Sequence, residues 1–295
     1  MIYTLTFNPA IDYAMYVDSF SEGVTNRSSK EVLYFGGKGI NVSIMLSRLG
    51  KQNTALGFIA GFTGDALEDA VKKAGVKTDF IKLKNGVTRI NFKLKGETET
   101  EINAAGPDIT EDDIGKLFRK LDKLKSGDTL ILSGSVPPSL PKDIYATICK
   151  SMSKKGIRLV ADATRELLLQ TLKYRPFVIK PNLQELEETL GRKLETDDEI
   201  INGAKALKEM GAENVLVSLG KNGAILVDQN GDIHIAGAVG GKAVNTVGAG
   251  DSMLAGFIAG ADTDFDYALR LALAAGGATA CSDWLAEYDD VMRLM

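Results

Sequence analysis

The chain has 295 residues, of which 44% are hydrophobic and 25% charged, with a formal net charge of −4. At about 150 residues per domain this length predicts one large or two modest soluble units with a core that needs no disulfide or metal staple. With one histidine and two cysteines, a zinc site or a Ser-His-Asp triad has too few residues to draw on, so the chemistry falls to carboxylates, lysines, arginines and backbone amides.

The acidic balance argues against coating nucleic acid, and no apolar run is long enough to span a bilayer. The start, Met1-Ile2-Tyr3-Thr4-Leu5, carries no basic segment ahead of an apolar one, and a cytoplasmic protein is expected. Cys149 and Cys281 stand far apart in sequence, outside any Cys-x-x-Cys, which fits free thiols in a reducing compartment.

Taken in chain order, short β-branched runs alternate with helical periodicity. Strands are predicted at Ile2–Phe7, Thr54–Ile59, Thr129–Leu132, Arg158–Ala161, Phe177–Ile179 and Asn214–Ser218. Helices are predicted at Asp65–Ala74, at Lys142–Lys155, and behind Thr110 as N-cap, where Ile114, Leu117, Phe118 and Leu121 share one face. Such alternation predicts an α/β fold: three α/β/α layers around a mainly parallel sheet. Two segments break the pattern. Residues 11–35 and 86–104 read as antiparallel β-structure, with Ile90, Phe92 and Leu94 alternating against Asn91, Lys93 and Lys95. They form either a small β-sheet lid or two ordinary surface hairpins. The core is then residues 1–10, 36–85 and 105–295.

Two glycine-rich segments each open a helix. In Phe35-Gly36-Gly37-Lys38-Gly39-Ile40-Asn41, Lys38 supplies a cation, and Asn41 supplies a donor and an acceptor in the first turn. In Asn245-Thr246-Val247-Gly248-Ala249-Gly250-Asp251-Ser252, unobstructed amides at a helix N-terminus make an anion site. Asp251 falls in that first turn, within reach of whatever the amides hold. Amides for a charged transition state and a carboxylate for a proton are the minimum for phosphoryl transfer. The bland alternative is that Asp251 merely caps its helix. Neither a Walker A loop nor a G-x-G-x-x-G occurs.

Together, in this order, the two segments resemble the paired signatures of the ribokinase/PfkB carbohydrate kinase family. Further matches run along the whole chain: Asn8-Pro9-Ala10-Ile11-Asp12, Val24-Thr25-Asn26-Arg27, Thr88-Arg89-Ile90-Asn91, Thr100-Glu101-Ile102-Asn103, Ser133-Gly134-Ser135-Val136-Pro137-Pro138, Ala161-Asp162-Ala163-Thr164, Lys180-Pro181-Asn182-Leu183-Gln184-Glu185-Leu186 and Ser218-Leu219-Gly220. They resemble most the bacterial members that act on fructose 1-phosphate.

This resemblance implies Mg-ATP as phosphoryl donor and the C6 hydroxyl of fructose 1-phosphate as acceptor. Tagatose 6-phosphate is the alternative acceptor, and a non-catalytic sugar-phosphate sensor is a reading of another class. It implies Asp251 as catalytic base and Gly248, Ala249 and Gly250 as the anion hole. Asp12 would bind sugar hydroxyls, with Gly37 and Asn41 also touching the sugar. Lys38 and Arg89 would grip the phosphate already on the sugar; Arg27 is either a further such cation or a solvated lid residue. On the nucleotide side it implies Lys180, Asn182, Ser218, Gly220, Gly223 and Gly250, with Glu185 holding Mg²⁺ through water, and Ala275–Ala280 packing near the adenine. Locally, Glu185 also reads as part of a charged helix face, and Asn222-Gly223 as a hairpin turn. A homodimer through the lid is implied as well. Asn245 departs from the aspartate of many relatives, which puts a monovalent-cation site near that loop in question. His234 is expected on a surface strand and Trp284 in packing.

Overall fold

A computed structural model describes residues 1–163 and 165–295; Thr164, the end of one matched motif, lies outside the described residues. The chain begins with β1 (Ile2–Thr6), β2 (Ala10–Tyr16), β3 (Lys30–Gly36), α1 (Lys38–Arg48), β4 (Asn53–Ala60) and α2 (Gly61–Lys73). Four strands follow, β5 (Lys77–Thr78), β6 (Ile81–Leu83), β7 (Arg89–Lys95) and β8 (Glu99–Ile102). Next come α3 (Glu111–Leu121), β9 (Thr129–Ser133), α4 (Ile144–Ser153), β10 (Arg158–Asp162), α5 (Arg165–Leu172), β11 (Val178–Ile179), α6 (Leu183–Leu190) and α7 (Asp197–Glu209). The last stretch holds β12 (Asn214–Ser218), β13 (Ala224–Val227), β14 (Ile233–Ala236), α8 (Ala249–Gly260), α9 (Phe265–Ala280) and α10 (Tyr288–Met292).

The main sheet runs β14-β13-β12-β11-β10-β9-β1-β4-β5, with β6 also on β4, and only the β12–β13–β14 end is antiparallel. Its central strands are apolar on both faces, as a sheet covered by helices on each side requires. Their alternation sorts side chains into separate cores. Ile131, Val160 and Leu216 pack with α1, α8 and α9. Leu130 and Leu159 pack with α3 and α4, and Val215 and Val217 with α7. The three-layer α/β/α expectation describes this architecture. Thr110 caps α3 in a capping box with Asp113, as its position before the periodic run predicts. Among the described residues no helix is long and apolar enough to cross a membrane.

A second sheet, ordered β3-β2-β7-β8, stands off the main one. β2–β3 and β7–β8 are antiparallel, but β2 and β7 pair in parallel. The purely antiparallel expectation therefore needs correcting. Both strands leave the main sheet from its carboxyl edge, so they run the same way. The alternation read in β7 is present with its polar set inward: Asn91 and Lys93 are buried while Phe92 is 46% exposed.

Main-sheet strand order reverses between β1 and β9, and α1 and α8 meet in front of that point with their N-termini toward the same space. Carboxyl ends of strands at such a switch point are where open α/β sheets bind ligands.

Candidate active site

A cavity of about 610 Å³ opens at this edge, between the main sheet's carboxyl ends and the polar face of the second sheet. Asp12, Gly37, Lys38, Asn41, Arg89, Lys180, Asn182, Glu185, Ser218, Gly248, Gly250 and Asp251 all line it. Residues separated by most of the chain are thus gathered in one space. An adjoining lobe of about 590 Å³, bounded by Tyr34 and Trp284, shares Asp12, Gly37, Asn41 and Lys93 with it.

Asp251 sits in the first turn of α8 and is 6% exposed. Its carboxylate does not cap the helix; no side-chain cap is present there. Instead its Oδ2 accepts a 2.8 Å hydrogen bond from Asn41 Nδ2. Burial, aided by the charge of Asp162, pushes the Asp251 carboxyl up to about 6, against the pull of Asn41, Lys38 and Lys180. The residue before the helix, Gly248, has φ +80°, and a Cβ there would meet Leu285 Cδ2 at 2.7 Å. The positive φ favours glycine here, and any side chain would also have to displace the end of Leu285. Helical geometry leaves the first-turn amides of α8 without intrahelical partners, beside the carboxylate.

α1 begins in the same way. Gly37 has φ +119° and lies against Pro9 Cα, so the backbone enters the helix where a side chain would be strained. This sets Lys38 and Asn41 in the first turn, facing the cavity.

Beneath the cavity lies Asp162, at the end of β10 and 2% exposed. Lys38 Nζ is 3.7 Å from one of its oxygens and Lys180 Nζ 3.5 Å from the other, while Ser133 Oγ donates at 3.1 Å. Burial works against its ionisation, but Lys180 and Lys38 outweigh that and hold the carboxyl below its usual range. Asp162 in turn raises the pKa of Lys38. One buried carboxylate therefore stands between two cavity ammoniums, and Lys180 Nζ lies beside Gly250. Across the cavity, Arg89 donates to the backbone carbonyls of Asn8 and Ala104, which fixes its guanidinium where the two sheets join.

Asn182 and Glu185 form a capping box on α6: Asn182 Oδ1 accepts from Glu185 N at 2.8 Å, and Glu185 Oε2 from Asn182 N at 2.9 Å. The motif is spent on the helix end and still faces the cavity. Ser218 N donates to Pro181 O, seating the β12 end beside it.

Four expected site residues fall outside the lining. Arg27 is exposed in the connection from β2 to β3. Ala249 is the first residue of α8, its amide donating to Thr246 O. Gly220 and Gly223 bound the 3₁₀ turn from β12 to β13, where Gly223 packs against Ala236 O, the hairpin-turn alternative. His234 is half-buried on β14 between Asp266 and Asp228, at 2.7 and 3.3 Å. Trp284 stacks on Tyr34 at 6.2 Å. Cys149 is buried and Cys281 half-exposed, both free. Asn245 turns its amide to Asp283 O and Val247 N.

Sequence reasoning assigned no role to Asp162, Asn91, Lys93 or Glu101, all of which bear on the cavity. For Asn91 and Lys93 the signal was present, since they are the polar set of a period-two strand. For Asp162, at the end of an apolar central strand, the signal was a carboxylate where a buried strand should continue apolar.

Residues 5–283 match the pfkB family carbohydrate kinase. A 1-phosphofructokinase of Bacillus subtilis is 42% identical over 297 residues, covering 100% of this chain and 97% of that one. A D-tagatose-1-phosphate kinase of Bacillus licheniformis is 40% identical, covering 97% and 95%. The crystal structure of phosphofructokinase-2 from Escherichia coli, in complex with substrates and products, superposes with a TM-score of 0.94 at 29% identity, covering 99% and 97%.

Proposed function

We propose, for a chain that belongs to the pfkB family of carbohydrate kinases, that it transfers the terminal phosphoryl group of ATP to the C6 hydroxyl of fructose 1-phosphate. The products are fructose 1,6-bisphosphate and ADP. The observation that carries the chemistry is the meeting of Asp251, Lys38, Lys180 and Arg89 in one cavity under two helix N-termini. The identity of the acceptor draws on the full-length likeness to 1-phosphofructokinases.

Asp251 takes the proton of the C6 hydroxyl as that oxygen attacks. A carboxyl of pKa about 6 is ionised at neutral pH yet basic enough to assist. The first-turn amides of α8 and the ammonium of Lys180 face the charge that builds on the transferring group. Lys38 and Arg89 hold the phosphate already on the sugar, Arg89 with the flat fork suited to it. Asp12 and Asn41 take the sugar hydroxyls, with Gly37 letting the sugar approach the backbone. Asn182, Ser218, Gly220 and Gly223 belong to the nucleotide end. Ala249, whose amide donates to Thr246 O, holds the turn that presents the anion hole, and Arg27 would reach the site only by movement of the second sheet or from a second copy.

Mg²⁺ fits the donor set. Among the described residues no cluster of three metal-ligating side chains exists, and Mg²⁺ is commonly held by one or two carboxylates together with substrate phosphates. Glu185 would hold it through water, and the ion would then neutralise phosphate charge. The second sheet closes over the cavity as a lid that excludes water and so limits hydrolysis of ATP. Its outward face carries Phe92 and Ile102, directly paired across β7 and β8 and 46% and 66% exposed. We assign that face to a second copy of the chain, and the enzyme to the cytoplasm.

The test is ADP release with Mg-ATP and, in turn, fructose 1-phosphate, tagatose 1-phosphate, tagatose 6-phosphate, fructose 6-phosphate and fructose. A kcat/KM preference for fructose 1-phosphate is expected. Preference for either tagatose phosphate moves only the acceptor. Binding without turnover of any sugar phosphate overturns the kinase in favour of a sensor.

A further inference from the structure

Lys93 is one of two buried lysines among the described residues, and it lines both lobes of the cavity. The register explains its position. β2 and β7 run parallel with Asp12 opposite Asn91, and β8 places Glu101 directly opposite Lys93. Lys93 Nζ stands 3.6 Å from Asp12 Oδ2 and 3.0 Å from Glu101 Oε1. Asn91 Nδ2 donates to Asp12 Oδ1 at 2.8 Å, and Asn91 is itself fixed by Ala104 N at 3.1 Å.

Asp12 is thus held at both oxygens, by an amide on one and an ammonium on the other. Asp12 itself lines both lobes of the cavity. Burial alone would lower the pKa of Lys93, but Glu101 and Asp12 outweigh it and keep the ammonium charged. A cation already flanked by two carboxylates exerts little net pull on a phosphate, whereas Arg89 donates to two backbone carbonyls and has Asp12 as its neighbouring charge. The geometry therefore favours orientation of Asp12 over anchoring of the sugar phosphate.

We propose that Lys93 is a positioning residue for the acceptor sugar. With Asn91 it sets the Asp12 carboxylate to accept from sugar hydroxyls, and Glu101 keeps the ammonium in place. This rests on the reading of the cavity as a sugar-phosphate kinase site in which Asp12 meets the sugar.

The experiment is steady-state kinetics of Lys93→Met, Lys93→Arg, Glu101→Gln, Asp12→Asn and the Asp12→Asn/Lys93→Met double variant, beside wild type and with melting curves. Lys93→Met is expected to raise KM for the sugar phosphate about tenfold or more while KM for ATP stays within about twofold. Lys93→Arg should recover most of the loss. In the double variant the two losses should not add, because Lys93 acts only through Asp12. Glu101, 39% exposed, tolerates replacement, so Glu101→Gln reads the effect, as a smaller rise in sugar KM alone, even where Lys93→Met does not fold. An unchanged sugar KM in these variants, an equal rise in both KM values, or additive losses would overturn the proposal. Active wild type with an indifferent Lys93→Met sinks this proposal alone. Wild type that turns over no sugar phosphate sinks the kinase reading and this proposal with it.

Discussion

The side-chain amide of Asn41, in the first turn of α1, donates a 2.8 Å hydrogen bond to Asp251, in the first turn of α8, across 210 residues of sequence. Two glycine-led helices thereby meet head to head, and each brings one polar group to a shared point. The pair orients the carboxylate that the proposed reaction uses. It also partly offsets the cost of burying that charge.

Asp251→Asn should reduce kcat by about 10² to 10⁴ while sugar and ATP still bind. Wild-type kcat should fall as pH drops through about 6, where Asp251 gains its proton. The stability sign is opposite to that of an ordinary paired aspartate. The folded pKa lies above the unfolded one, so stability linked to Asp251 is full below the ordinary aspartate range and lost as pH rises through about 6. The Asn variant escapes that cost. Its Tm should exceed that of wild type at pH 8, and the gap should close at acid pH. A variant with full turnover would remove Asp251 from the mechanism.

Glu185→Gln separates two roles of one residue. Glutamine at the third helical position can still accept from the Asn182 amide, so the capping box and the melting temperature should persist. Only the charge is lost. Apparent affinity for Mg²⁺ should weaken about 10- to 100-fold, with the sugar KM unchanged, as read by a Mg²⁺ titration at fixed ATP. An unaltered Mg²⁺ dependence would leave Glu185 as a cap and nothing more.

The assignment of the second sheet's outer face to another copy is tested by Phe92→Asp with Ile102→Lys. These side chains are direct cross-strand partners, so the new charges pair with each other and the strands stay matched. Light scattering should report two chains for wild type and one for the variant. A wild type that is already monomeric overturns the assignment.

Much of the architecture was legible because secondary structure is written in local periods. Short β-branched apolar runs marked the main-sheet strands, alternation of two marked β7, and a period of 3.6 marked the helices. Thr110, placed just before an apolar run with Asp113 three residues on, caps α3 as read. Pairing direction was not legible in the same way. β2 and β7 run parallel because both leave one edge of the main sheet, a fact about where strands end in space.

The site divides along the same line. By itself the sequence determined the α/β/α class, the two glycine-led helix starts and the presence of Asp251, Lys38 and Asn41 in their first turns, since each follows from residues adjacent along the chain. Only the tertiary structure decided that one buried Asp162 serves both Lys38 and Lys180, that Lys93 stands beside Asp12, and that Asp251 is perturbed to about 6. Periodicity and turn chemistry act over a few residues, whereas desolvation and charge depend on every group brought near, however distant in sequence.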